Sequence, residues 1–167
     1  MHFATSALAF VASGAAASAA SVTFWTLDHA TRTVYFTPSF GSSKLDSVVV
    51  SNAEKKVVHF PDNWTGNFYA VQEGQNNVPG MLGEVNFNAW NGLTYFDVSA
   101  IVNPSDHNNV KQMWPASAES PMSGCEVFPC NNAYYLPNDV QTKATKETHI
   151  ITSLGSGSTG LKFAEAH

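Results

Sequence analysis

Asn91-Gly92 lies between two runs rich in aromatic and β-branched residues, within GEVNFNAWNGLTYFDVSA at positions 83–100. In that setting the dipeptide is the strongest short-range hairpin signal. A two-residue type I′ turn needs φ > 0 at both central positions, which Asn and Gly tolerate best. The turn then fixes which residues face each other. Counting outward puts Trp90 opposite Leu93, Asn88 opposite Tyr95, Phe87 opposite Phe96, Asn86 opposite Asp97 and Glu84 opposite Ser99. Strand side chains alternate, so Val85, Phe87, Phe96 and Val98 share the core face. Glu84, Asn86, Asn88, Trp90, Tyr95 and Asp97 share the other, with Glu84 and Asp97 as diagonal neighbours roughly 5–8 Å apart.

Two carboxylates at that distance are what glycoside hydrolysis uses, one as acid and the other as base or nucleophile. Glu84 and Asp97 are therefore the candidate catalytic pair, with Glu84 as general acid. Asn86, Asn88, Trp90 and Tyr95 are the candidate substrate contacts beside them. The plain alternative is a solvated sheet face whose acids only keep the protein soluble.

Residues 1–20 outline a secretory signal peptide: an apolar stretch near 7–12, then Ala17-Ser18-Ala19 as an A-x-A cleavage signal. The apolar stretch is too short for a membrane span. Removing it leaves about 147 residues, enough for one domain. A secreted chain changes how its two cysteines are read. Cys125 and Cys130 bracket Glu-Val-Phe-Pro and pair most simply with each other, which constrains the unfolded chain by about 2 kcal/mol. Asn63-Trp64-Thr65 is an N-glycosylation sequon, so Asn63 is expected in an exposed loop. No cofactor or metal site is expected; zinc lacks a second cysteine pair or a histidine pair to complete four ligands.

The formal net charge is −5, with Arg32 the only arginine and seven lysines scattered singly. Nucleic-acid binding draws on clustered cations, and none is visible, so a nucleic-acid partner is not expected. An anionic surface suits a neutral polysaccharide or a cell-wall or host component, and a monomer is expected.

Short β-rich runs follow one another at 21–27, 32–37, 45–51, 55–60, 66–72, 83–100, 110–114 and 145–154. The first two are joined by Asp28-His29-Ala30-Thr31, which reads as an opening hairpin. Residues 115–138 carry Pro115, Pro121, Pro129, Pro137 and both cysteines, an irregular excursion too long for an ordinary connection. No 3.6-residue apolar period persists over three turns. The pattern predicts an all-β, antiparallel β-sandwich: a single domain over 21–154 with long irregular loops, and a flexible Gly/Ser-rich tail at 155–167.

The residues at 79–85 (PGMLGEV) and 95–99 (YFDVS) resemble the thaumatin-like, osmotin-type family, in which a Leu–small–Glu–aromatic segment precedes aromatic–aromatic–Asp–Val/Ile–Ser. The resemblance implies a β-sandwich with an acidic cleft that binds or slowly cleaves β-1,3-glucan, and it lands on Glu84 and Asp97. Departures accompany it: no further Asp in Ile101-Val102-Asn103-Pro104, no cleft arginine, and two cysteines where plant members have many. The stretches at 90–104 and 123–135 also resemble a group of small secreted fungal proteins, some labelled deoxyribonuclease.

A metal-dependent nuclease would draw on His107 as base, Asp106 or Asn109 as ligands and His149 as a second imidazole. A polar turn explains the same residues. No Gly-x-Ser-x-Gly elbow or phosphate-binding glycine loop is present. The reading that emerges is a secreted protein binding, or weakly hydrolysing, cell-wall β-glucan through Glu84 and Asp97. The alternatives are a secreted interaction or effector protein acting through its loops, and a secreted deoxyribonuclease.

Overall fold

Alternating apolar and polar positions pack as two sheets in a computed structural model, which describes residues 20–163. The five-stranded sheet has the order β4 (Lys56–His59), β1 (Ser21–Thr26), β11 (His149–Leu154), β8 (Val110–Pro115), β9 (Ser123–Gly124). Its β1–β11 pair is parallel and the rest antiparallel. The six-stranded sheet is antiparallel throughout, in the order β10 (Lys143–Thr145), β7 (Thr94–Ser99), β6 (Leu82–Asn86), β5 (Thr65–Gln72), β2 (Arg32–Pro38), β3 (Val48–Val50). The result is the single-domain β-sandwich that the pattern predicts. Among the described residues the helical content is one 3₁₀ turn at Trp90–Gly92.

One core lies between the sheets. Val22 and Phe24 of β1, Phe68 of β5, Val85 and Phe87, Phe96 and Val98, and Met113 are all buried in it. Aromatic edges meet faces there: Phe24–Phe68 at 5.1 Å, Phe36–Phe60 at 5.5 Å and Phe60–Trp64 at 4.9 Å between ring centroids. Each such pair adds about 0.5–1.5 kcal/mol beyond the area it buries. Trp64 is a packed anchor whose indole N–H donates to Ser43 O at 2.9 Å. Trp25 and Tyr35 are half-buried on the outer faces of the two sheets.

The opening hairpin does not form. β1 pairs with β4 and β11, whereas β2 pairs with β3 and β5 in the other sheet, so residues 28–31 carry the chain across the sandwich. Arg32 explains the crossing. Its side chain is fully buried and its guanidinium grips Asp28 in a fork, Nη1 to Oδ1 at 2.6 Å and Nη2 to Oδ2 at 2.8 Å. The remaining donors reach Ala30 O, Asn108 O and Asn109 Oδ1. A buried cation is tolerated only when paired and fully hydrogen-bonded, and this one is both. The guanidinium in turn holds the Asp28 carboxyl well below the usual carboxylate range.

The expected leader lies outside the described residues except for Ala20, which is buried and whose carbonyl accepts from Phe60 N at 2.8 Å. Residues 155–163 make specific contacts: Ser156 N donates to Asp28, Ser158 Oγ to Glu126, and Phe163 packs on Trp114. Cys125 and Cys130 are disulfide-bonded, within the excursion. No helix among the described residues is long and apolar enough to cross a membrane.

Candidate functional site

The Asn91-Gly92 turn forms as the sequence predicts, with φ of 59° and 67° and Leu93 N donating to Trp90 O. The ladder beyond it does not follow from the turn. Phe87 N donates to Trp64 O, outside the β6–β7 ladder, and Asn88 takes φ +48°. Burying the Phe87 ring against Phe60, at 5.4 Å, draws the chain out of the ladder there. β6 therefore ends at Asn86, and the pairing is displaced by two residues: Glu84 faces Asp97, Asn86 faces Tyr95 and Val85 faces Phe96. A one-residue slip would have turned Glu84 to the other side. A two-residue slip keeps every face and converts the expected diagonal neighbours into a directly opposed pair.

Glu84 and Asp97 sit in a groove of about 280 Å³ on the outer face of the six-stranded sheet. Asn67 of β5 lies beside Glu84 in the ladder, and Thr142, just before β10, covers the other flank. Asp97 is 7 % exposed, and its Oδ2 accepts from Thr142 Oγ1 at 3.2 Å. Thr142 is held in turn by the Tyr134 hydroxyl at 2.8 Å. Asp97 Oδ1 is buried and receives no hydrogen bond from the donors around it. The group that faces it is the Glu84 carboxyl.

The energetics agree with that arrangement. Burial, then the adjacent Glu84 charge and the hydrogen bond to Glu84, push the Asp97 carboxyl up to about 7. No Lys, Arg or His lines the groove to offset a second charge. A carboxylate placed beside a buried carboxyl disfavours its ionisation further.

Of the expected contacts, Asn86 and Tyr95 line the groove with the pair. Asn86 Oδ1 accepts from Thr65 Oγ1 at 2.7 Å, and Tyr95 OH donates to Trp90 O at 3.4 Å. Asn88 stands in the left-handed bend outside the groove, and Trp90 projects from the hairpin tip at 75 % exposure. Sequence reasoning misses Asn67, Thr65 and Thr142, because they come from strands whose placement beside β6 and β7 has no local signature. It also misses Phe40, fully exposed in the turn after β2, next to the groove-lining Ser39. Asn63 is exposed at the same end of the sandwich, as its sequon requires.

Of the nuclease candidates, Asp106 and Asn109 are joined by a hydrogen bond next to His107, and His149 stands apart. Asp106 accepts from Met81 N at 2.8 Å and from Asn109 Nδ2 at 2.8 Å, and Asn109 Oδ1 accepts from Arg32, so both side chains hold loops in place. His107 lies at the end of the five-stranded sheet where β8 begins and β11 finishes. His149 is at the opposite end of β11, bonded to Thr23 Oγ1 at 2.7 Å, about 16 Å of strand away. No cluster of three or more His, Cys, Asp or Glu suited to a metal ion occurs among the described residues.

Comparison with known proteins corrects the thaumatin-like resemblance. No family model matches the chain. By sequence it is 62 % identical over 144 residues to antigenic protein SchS21 of Stachybotrys chartarum, covering 86 % of this chain and all of that one. By structure it resembles the protein elicitor MoHrip2 of Magnaporthe oryzae, with a TM-score of 0.60 over 82 % of this chain and 99 % of that one, at 12 % identity. That second likeness concerns the fold alone. Neither points to thaumatin-like proteins; the full-length match overrides two short motifs that any antiparallel hairpin with one acidic rung can carry.

Proposed function

The chain belongs to the family of antigenic protein SchS21, and from that premise we propose that it is an extracellular interaction protein of the antigen and elicitor type. It acts by binding, through the outer face of its six-stranded sheet, and its partner is a neutral, hydroxyl-rich surface such as a cell-wall polysaccharide. The observation that carries this reading is the acid-pair groove itself: a buried Asp97 opposite a half-buried Glu84, with no cation in the lining, open on an uncovered sheet face.

The chemistry fits a neutral partner. Carboxyl oxygens accept from hydroxyls, and a neutral carboxyl also donates to them. Asn67 and Asn86 add amides and Tyr95 an aromatic face along the same groove. Further along the sheet Tyr35 and Tyr69 stack at 5.5 Å, giving a second ring surface. Tyrosines and amides on a rigid sheet are the residues that binding surfaces favour, since they contribute contact area with little side-chain entropy to lose. The disulfide suits an oxidising, extracellular setting.

The test is capture of insoluble β-glucan and other neutral polysaccharides by the disulfide-intact protein, beside Asp97→Asn and Glu84→Gln. Capture by the parent and at least a tenfold loss in one of the variants, without release of reducing sugar by any of them, is the expected result. Equal capture by all three proteins would remove the groove from the binding surface.

A further inference from the structure

The other sheet carries a separate feature on its outer face. In the ladder Trp25 of β1 lies beside Ser153 of β11, and Trp114 of β8 beside Ile151, so the two indoles share that face, 6.4 Å apart. With Ile151, Lys55 and Leu161 they line a cavity of about 340 Å³. Residues 161–163 close one side of it, with the Phe163 ring on Trp114 at 5.0 Å and 61°. On the far flank of the same three residues a larger cavity, about 710 Å³, runs past Gln112 and Met122 to the disulfide loop. Leu161 lines both, so the Leu161-Lys162-Phe163 segment lies across one long trough and leaves space on either side.

The segment is weakly held. Gly155 N donates to Asn109 O, Ser156 N to Asp28 and Ser158 Oγ to Glu126. Beyond Ser158, no hydrogen bond ties the segment to the sheet among the described residues, and residues 155–160 include three glycines. What keeps residues 161–163 down is apolar contact: one aromatic pair and one leucine.

We propose that this trough is a peptide-docking groove, covered in cis by residues 161–163, for an extended partner segment carrying an aliphatic–basic–aromatic triplet. The seated segment shows the chemistry that fits: Leu161 against the tryptophan cavity, Phe163 edge-on to Trp114, and exposed Lys162 between them. The rim favours a basic middle residue, since Glu119 and Glu126 line the two cavities and, apart from Lys162 itself, the lining cation is Lys55, whose ammonium lies over Trp25 at 3.6 Å. A short flexible tether gives the covering segment an effective concentration in the millimolar range. A free peptide with intrinsic Kd of about 0.1 mM would then bind the covered groove roughly tenfold more weakly than the uncovered one.

The experiment is fluorescence anisotropy of a labelled synthetic peptide of residues 156–163, titrated with the full-length parent and with the double variant Leu161→Ala/Phe163→Ala. The indole N–H resonances of Trp25 and Trp114 are followed in parallel. The expected result is binding to the double variant about tenfold tighter than to the parent, with both indole signals moving in proportion to occupancy. A double variant that binds no more tightly than the parent would overturn the proposal. So would saturable binding that leaves the two indole signals in place, because the peptide would then sit elsewhere. The double variant keeps every core residue, and an unchanged amide spectrum away from the trough establishes that the fold is intact.

Discussion

Asp97→Asn should make the protein more stable above neutral pH and leave it unchanged in mild acid. Asp97 is 7 % exposed, faces Glu84 and has one donor, Thr142. Its carboxyl is pushed from an ordinary 3.8 up to about 7, chiefly by burial and then by Glu84. In the unfolded chain the same carboxyl titrates near 3.9. Between those values the folded protein holds a proton that the unfolded chain has released, so stability falls as pH rises through the window. At 1.36 kcal/mol per pH unit the loss reaches at most about 4 kcal/mol by pH 8. It is fully recovered below about pH 4, where both states are protonated.

Asparagine removes that titration and offers an amide N–H to the Glu84 carboxylate in its place. Urea unfolding at fixed ionic strength at pH 4.5, 6, 7 and 8.5 should show the two proteins converging in acid and diverging upward, the variant ahead by several kcal/mol at pH 8.5. Other groups that titrate in this range are common to both proteins, so their difference isolates the pair. Glu84→Gln separates the causes: it removes the neighbouring charge but not the burial, so the window narrows without vanishing. A parent-minus-variant difference that changes by less than about 1 kcal/mol between pH 4.5 and 8.5 would refute the raised titration of Asp97.

Two further perturbations test other parts of the frame. Asp28→Asn leaves the fully buried Arg32 guanidinium without its carboxylate and should cost about 3–5 kcal/mol in urea unfolding at pH 7, with little change in that difference down to pH 4.5, because Arg32 holds Asp28 ionised well below there. Gly66→Ala would drive a methyl into the Thr37 carbonyl and the Trp64 ring at the groove's edge, and should lower stability by roughly 1–3 kcal/mol with altered near-ultraviolet dichroism from Trp64.

Much of this architecture is legible in the sequence because period-two alternation is a local signal. Val85, Phe87, Phe96 and Val98 read as one core face and are buried together. The turn residues announce the Asn91-Gly92 bend, and close spacing announces the Cys125–Cys130 bond. What stays hidden depends on distant partners. Nothing in 28–31 declares that Arg32 will be buried against Asn108 and Asn109, yet those contacts send β2 into the second sheet. Nor does any local pattern pair β1 with β11, more than a hundred residues later in the sequence, or set Thr142 over a carboxylate forty-five residues away.

The register error and the family error have a common physical root. Alternation specifies faces modulo two, and it does not specify how far along the partner strand a residue pairs. Phe87 settles the register by bonding to Trp64 O and packing on Phe60, which are contacts outside the hairpin. Because the displacement is even, Glu84 and Asp97 share a face in either register, and they move from diagonal to opposed. The same insensitivity lets Gly-Glu-Val and Phe-Asp-Val-Ser resemble motifs of unrelated sandwiches, since any such hairpin with an acidic outer rung repeats the pattern. Chemistry that depends only on which face a residue occupies therefore survives the change of register and of family. Chemistry that depends on the distance between the carboxyls does not.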